Sequence, residues 1–396
     1  MAKFAFIVPP FVGHVNPTLS VGAELLRRGH RVAWIGLDDS LYEQAPVGGQ
    51  VFWAGGSDDG ETASEHDQYR QQITQNRYTG IESIKFLYED VLIPLNGYLY
   101  PGICQRLREF SPDVVVHDHE VFAGAFAAQA LDFPYATMVT APASIRLAYD
   151  LPGVHAWTSE RTQRLQTDLG LAGNLVSISS NRVLVTTVAA FFGPLAGELP
   201  IHFRFTGPLI QHRTESAAFD WNRFHQLPGS GPRVLISIGT TFDHATKQDF
   251  FDKVVQAFAG EAVRIVLVSD PALRSTWPAN FYVCQRIPQL ALMPHLDGVI
   301  CHGGQNTVFE SLAHGLPIVV IPIAYDQSYV AGRLVDTGCG VRLNFRRFNA
   351  SQLRDALQTV IGSIAYRQQA AAMQTALKQA GGTAYAASQL EELINP

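Results

Sequence analysis

Within this chain of 396 residues, the stretch best equipped to hold an anion is His302-Gly303-Gly304-Gln305-Asn306-Thr307. Paired glycines let a ligand approach the backbone closely. The amide groups and positive dipole end of a helix starting there attract phosphate, and His302 adds a donor at the same point. Glu310, about one turn further on, offers a carboxylate to ribose hydroxyls, and Asp326 with Gln327 offers a carboxylate and an amide to sugar hydroxyls. For Asn306 or Thr307 alone, a helix cap is the plainer explanation; the set together favours binding of a phosphorylated sugar or nucleotide. A second group concerns protons. His14 lies in the turn after an apolar run at residues 3 to 8, and Asp118 closes the apolar run Val114-Val115-Val116. A carboxylate on one imidazole nitrogen fixes the tautomer and stabilises the imidazolium formed when the other nitrogen takes a proton. His117, His119 and Glu120 beside it raise the question of a metal, but no further ligand set accompanies them and none is expected.

The elements that must carry these groups follow from periodicity. Gly298 to Cys301 reads as a buried strand, Thr307 to His314 as a helix stopped by Gly315 and Pro317, and Ile318 to Ile323 as a second strand. A crossover this short makes the strands parallel and sets both polar turns at the carboxyl edge of the sheet, where open α/β sheets bind ligands. The opening of the chain repeats the pattern: strand 3 to 8, a loop from Pro9 to Gly13, a helix capped by Asn16 and ended by Gly29, then strand Arg31 to Gly36. Residues 57 to 75 read as a polar loop, 76 to 110 as helical core, and Val183 to Thr187 and Phe203 to Gly207 as the last strands of a first domain. Residues 210 to 232, ending Pro-Gly-Ser-Gly-Pro, read as a linker. The pattern then restarts with strand Val234 to Ile238, a Gly239-Thr240-Thr241 turn suited to a diphosphate, a helix to Phe258 and strand Arg264 to Ser269. Helices over Ser351 to Leu377 and Thr383 to Ile394 close the chain.

Bulk properties narrow the field. The length favours two domains. A net charge of -6 without a basic tract leaves no footprint for nucleic acid. Cys104, Cys284, Cys301 and Cys339 are too scattered for a zinc site or a disulfide framework and suit a reducing, cytoplasmic setting. The start, with its double proline, reads as strand rather than signal peptide, and Val183 to Gly197 is too short to span a bilayer. Peripheral contact with a membrane stays open, and oligomeric state is not legible.

In order and spacing, Pro288-Gln289, His302 to Thr307, Glu310-Ser311-Leu312, Gly315-Leu316-Pro317 and Asp326-Gln327 resemble the donor signature of the UDP-glycosyltransferase family. That family includes plant secondary-metabolite enzymes and bacterial antibiotic, macrolide and carotenoid glycosyltransferases. Gly13-His14-Val15-Asn16-Pro17 is similar to the family's catalytic-histidine loop. The resemblance implies an α/β GT-B fold: two Rossmann-like parallel-sheet domains facing each other across a cleft. Its expected parts are an acceptor domain at 1 to 209, a linker at 210 to 232, a nucleotide-sugar domain at 233 to 378, and a terminal helix at 379 to 396 packing back on the first domain.

The same resemblance implies site residues. His14 and Asp118 are the catalytic pair. Gly13, Thr240, Arg286, Ile287, Gln289, His302, Gly304, Gln305, Asn306, Thr307, Glu310, Asp326 and Gln327 bind the donor, and Phe11, Phe122 and Thr140 line the acceptor side. Plant members stack a tryptophan on uracil where this chain has Arg286, a guanidinium that can also stack on a base. The expected activity is inverting, metal-independent transfer of a hexose from a nucleotide sugar to a hydroxyl of a small hydrophobic acceptor. UDP-glucose is the favoured donor, and no cofactor is expected. One rival, a nicotinamide oxidoreductase, lacks Gly-x-Gly-x-x-Gly at either first turn. A non-catalytic nucleotide-sugar binder and a transferase acting on a membrane lipid are the others.

Overall fold

The computed structural model describes residues 1–37, 40–55, 78, 80–173, 175–210, 219–239 and 244–394. The chain forms two compact units: Met1–Ile73 with Ile81–Gln211 and Gln379–Pro396, and Thr74–Gly80 with His212–Lys378. The expected loop at 57 to 75 lies outside the described residues.

In the first unit the strands are β1 (Lys3–Ile7), β2 (Arg31–Gly36), β3 (Gln50–Trp53), β4 (Val114–Asp118), β5 (Tyr135–Val139), β6 (Val183–Val185) and β7 (Phe203–Phe205). They pair in parallel in the order β3-β2-β1-β4-β5-β6-β7. A parallel sheet is covered on both faces, which is why its strands read as unbroken apolar runs. Alternate residues divide between the two layers. Phe4, Phe6, Val114 and Val116 pack with Val15, Leu19 and Leu25 of helix α1 (Val12–Arg27). Ala5, Ile7 and Val115 pack with Leu95, Leu99, Ile103 and Leu107 of helix α2 (Ile93–Phe110). Each large aliphatic side chain buried in this way contributes about 1.5–3 kcal/mol.

Two expectations change here. Helix α1 begins at Val12, not after Asn16: the Phe11 carbonyl accepts from the amides of His14 (2.8 Å) and Val15 (3.0 Å). Pro17 therefore sits inside the helix, and His14 stands in its first turn. The segment before α2 is also divided, into a short helix Ile81–Phe86 and a π-helical turn Leu87–Leu92.

In the second unit β8 (Arg233–Ser237), β9 (Arg264–Val268), β10 (Phe281–Cys284), β11 (Gly298–Cys301), β12 (Ile318–Val320) and β13 (Gly340–Arg342) are parallel, in the order β10-β9-β8-β11-β12-β13. Val234, Ile236, Ile265, Leu267, Ile300 and Val319 pack against Phe250, Val254 and Phe258 on one helix and Leu353, Leu357 and Val360 on another. The linker expected at 210 to 232 is corrected in part. Phe219, Trp221 and Phe224 pack on one another, Phe219 also on Tyr282, and helix α4 (Trp221–His225) is capped by Asp220. Aromatic burial thus ties 219–232 into the second unit; residues 211–218 lie outside the described residues. Helix α3 (Phe122–Ala130) belongs to the first unit.

The two sheets share one plan. Strand order reverses between β1 and β4 in the first and between β8 and β11 in the second, and such switch points are where doubly wound sheets take ligands.

Candidate active site

At the first switch point three side chains converge from adjacent parallel strands. His14 follows β1, Asp118 ends β4, and Thr140 follows β5. Register aligns these carboxyl ends, with Ile7 beside His117 and Asp118 beside Met138. His14 Nδ1 lies 3.0 Å from Asp118 Oδ1 and 2.8 Å from Thr140 Oγ1, and the Thr140 hydroxyl donates to Asp118 Oδ2 at 2.6 Å. With the hydroxyl proton given to Asp118, the hydrogen in this triangle belongs on His14 Nδ1, and Nε2 is the nitrogen that can take a proton. Asp118 is fully buried. Burial alone would raise its carboxyl, but His14 and His119 outweigh it and hold the group below the usual carboxylate range.

The surroundings add groups that periodicity did not mark as functional. Glu120 Oε2 stands 3.5 Å from His14 Nε2. The His119 ring stacks on that of His14 at 5.7 Å, with its Nδ1 3.4 Å from Asp118 Oδ1. Buried Asn96 donates to the carbonyls of Leu92 (2.9 Å) and Glu120 (2.8 Å) and accepts from the Ala123 amide (2.8 Å), pinning the turn after β4 to α2. His117 points away from this group, bonded to Thr137, and burial pushes it down to about 4, so it is a neutral core residue. Among the described residues His14, Asp118 and His119 are close enough to share a cation, their donor atoms lying within 4.8 Å. The Asp118 oxygens, however, already accept from His14, Thr140 and the Glu120 amide (2.9 Å), which makes the group a hydrogen-bonded cluster.

The residues expected on the acceptor side divide. Thr140 belongs to the His14–Asp118 triangle. Half-buried Phe11 begins α1 and stands edge-on to the His14 ring at 5.8 Å. Phe122 is 3% exposed and packs with Val91, Leu92, Phe126 and Leu165. Gly13 is exposed in the first turn of α1.

At the second switch point backbone and neutral groups predominate, beside the buried carboxylate of Glu310. After β11, His302-Gly303-Gly304 leads into helix α5 (Gln305–Ala313), whose N-cap Gly304 offers no side chain to cap it. Gly303 has φ +91°, and a Cβ there would meet Val320 and the Gln327 carbonyl at 3.0 and 3.2 Å. The His302 ring lies between two glycines: a Cβ on Gly239 would come within 2.9 Å of it and one on Gly304 within 2.7 Å. Burial pushes His302 down to about 4, so at neutral pH it is an uncharged donor and acceptor. Gln289 Nε2 donates to Glu310 Oε2 at 2.6 Å and lies 3.5 Å from Thr307 Oγ1. Glu310 is thus a buried carboxylate held by an amide, with one oxygen already engaged.

Gln327 begins helix α6 (Gln327–Asp336), and its Oε1 accepts from the amides of Ile323 (2.9 Å) and Ala324 (3.0 Å), closing the turn that presents Asp326. Tyr325 beside it has φ +56°, a left-handed conformation that costs a non-glycine residue of order 1 kcal/mol or more. Gln305 and Asn306 fill the first turn of α5. Arg286 is exposed and Ile287 half-buried after β10. Thr240 lies outside the described residues.

Similarity to known proteins agrees with this arrangement. The profile of the family described as erythromycin biosynthesis protein CIII-like, C-terminal domain, matches residues 251–393. The NDP-glycosyltransferase YjiC of Bacillus subtilis (strain 168) is 26% identical over 97% of this chain and 95% of its own length. A zeaxanthin glucosyltransferase of Pseudescherichia vulneris is 27% identical over 100% of this chain and 98% of its own. The crystal structure of the glycotransferase of kitacinnamycin superposes with a TM-score of 0.76 at 22% identity, covering 99% of both chains, a likeness of fold.

Proposed function

We propose that this chain is a UDP-glycosyltransferase of GT-B fold and that it moves a hexose, glucose from UDP-glucose, to a hydroxyl of a small hydrophobic natural-product acceptor, with inversion and without a metal. The observation that carries this reading is the triangle of His14, Asp118 and Thr140 at the first switch point, with Nδ1 bound to a buried carboxylate at 3.0 Å. The acceptor oxygen attacks the anomeric carbon from the face opposite the diphosphate and gives its proton to His14 Nε2. The bond from that carbon to the diphosphate oxygen breaks in the same step, and the electron pair leaves with the nucleotide. Asp118 holds the ring and neutralises the imidazolium. General-base help of this kind contributes about 100- to 10,000-fold.

On the donor side the uncapped start of α5 at Gly304, Gln305, Asn306 and Thr307 suits the diphosphate, whose negative charge grows as the bond breaks. Neutral His302 donates beside it. Gln289 and Glu310 take the ribose, Asp326 and Gln327 the sugar hydroxyls, and Arg286 with Ile287 the base. Thr240 and Gly13 complete the donor set, and Phe11 lines the acceptor. We place the protein in the cytosol, which suits its four free thiols; among the described residues no helix is long and apolar enough to cross a membrane.

The test is a panel of UDP- and dTDP-sugars screened by thermal stabilisation, then by mass spectrometry with apolar alcohols. A glycoside product of inverted anomeric configuration, formed in the presence of a chelator, is expected. Donor binding with no product from any acceptor would leave a nucleotide-sugar binding protein instead.

A further inference from the structure

The imidazole of His14 has a carboxylate on each side, and the mechanism above uses only one of them. Asp118 lies against Nδ1, while Glu120 Oε2 stands 3.5 Å from Nε2, the nitrogen that must receive the acceptor proton. Glu120 is held there firmly. Its amide donates to Asp118 Oδ1 at 2.9 Å and its carbonyl accepts from Asn96 at 2.8 Å, so the turn after β4 cannot shift without breaking the carboxylate cluster. Its side chain is 14% exposed, poorly screened by water.

We propose that Glu120 is a positioning residue that holds the His14 ring in its productive pose and strengthens its grip on the transferred proton. Among the described residues, the groups facing His14 include Asp118 and His119 from β4 and the turn after it, Thr140 after β5, Phe11 at the start of α1, and Glu120 itself. Tyr88, on the π-helical turn, feels the Glu120 charge too; desolvation pushes its phenol up to about 12 and the neighbouring carboxylate adds to the rise. Tyr88 is therefore neutral beside Glu120 and does not cancel its charge. An anion at this distance in a partly dry site favours the imidazolium over the imidazole. It makes His14 a stronger base in the transition state and moves the pH at which the base becomes available upward.

This inference rests on His14 being the general base, and its test separates the two ideas. In Glu120→Gln the side-chain shape is kept and the charge removed. The titration midpoint of the His14 ring, followed by nitrogen-15 NMR of the free enzyme, is expected to fall by about one pH unit, a tenfold change in proton affinity. The rising limb of the pH–rate profile is expected to follow it, with the plateau rate reduced. Glu120→Asp, which keeps the charge, should restore part of the midpoint. An unchanged midpoint in Glu120→Gln, with Glu120→Asp equally unchanged, overturns the proposal. Because the NMR measurement needs no turnover, a shifted midpoint in a protein that transfers no sugar would reject the function and keep the role of Glu120.

Discussion

The two sheets have the same strand plan and arm their switch points in opposite ways. Where β1 and β4 end, ionisable side chains are packed together: an imidazole, a buried carboxylate and a hydroxyl within 3.0 Å of one another. Where β8 and β11 end, glycine and amide dominate, and the imidazole of His302 is pushed down to about 4 by burial and carries no charge. The difference follows from the task each would perform. Moving a proton requires a group whose charge changes, supported by a fixed counter-charge. Holding a diphosphate requires donors that are always present, and backbone amides need no titration to supply them. Under the proposed function, one topology would serve acid–base chemistry through side chains and anion binding through the main chain.

That contrast can be broken from either side. The largest effect is expected for His14→Ala: turnover should fall about 100- to 10,000-fold while the dissociation constant for UDP, measured by calorimetry, stays as in the parent. Near-normal turnover would remove His14 from the chemistry. Gly304→Ala should do the converse. Its methyl group meets the His302 ring and narrows the approach to the first amides of α5, so UDP should bind about tenfold more weakly or worse, a loss of about 1.4 kcal/mol. Turnover at saturating donor should change far less. Parent-like UDP affinity would mean that the diphosphate is held elsewhere.

An effect on stability rather than on function, shared by both units, concerns acid. His117 in the first unit and His302 in the second are each pushed down to about 4 by burial. The folded protein binds fewer protons there than the unfolded chain, whose histidines titrate near 6.5. The stability linked to them is complete above about pH 6.5 and is lost as pH falls towards 4, by roughly 3 kcal/mol for each histidine. Asp118, held below the ordinary carboxylate range, adds a loss only at still lower pH. Urea titrations from pH 7 to 4.5 should show the midpoint falling through this window; a flat midpoint would contradict the neutral, buried state of both rings.

Much of the scaffold was legible because parallel strands announce themselves as short apolar runs and because glycine and proline mark where they stop. Gly298 to Cys301, the turn and helix after it, and the strand from Ile318 are all visible in one stretch of sequence. The start of α1 was not, since Asn16-Pro17 imitates a cap followed by a first-turn proline. The helix instead begins on the Phe11 carbonyl and takes Pro17 in its second turn. The partnership of His14 with Asp118 followed from strand order, but the hydroxyl of Thr140, 126 residues from His14, enters only through the register of β5 against β4. Asn96 was silent, and Glu120 was noticed only as a conceivable metal ligand, because turn geometry, not spacing, aims them. Residues 219–232 misled by composition: prolines and glycines suggested a tether, while the burial of Phe219 and Phe224 decided the outcome.

Helix α7 (Gly382–Glu391) has a consequence for how the molecule is made. Its Ala386, Ala387 and Leu390 fill the layer under α1, and Arg28 and Arg182 reach Glu391 and Glu392 beside it. The layer begun by β1 is finished only by residues some 380 positions later along the chain. During synthesis the first unit must therefore wait, with its α1 side still bare and in need of shielding, until the residues of α7 have been made, whereas the second unit has all of its own residues earlier.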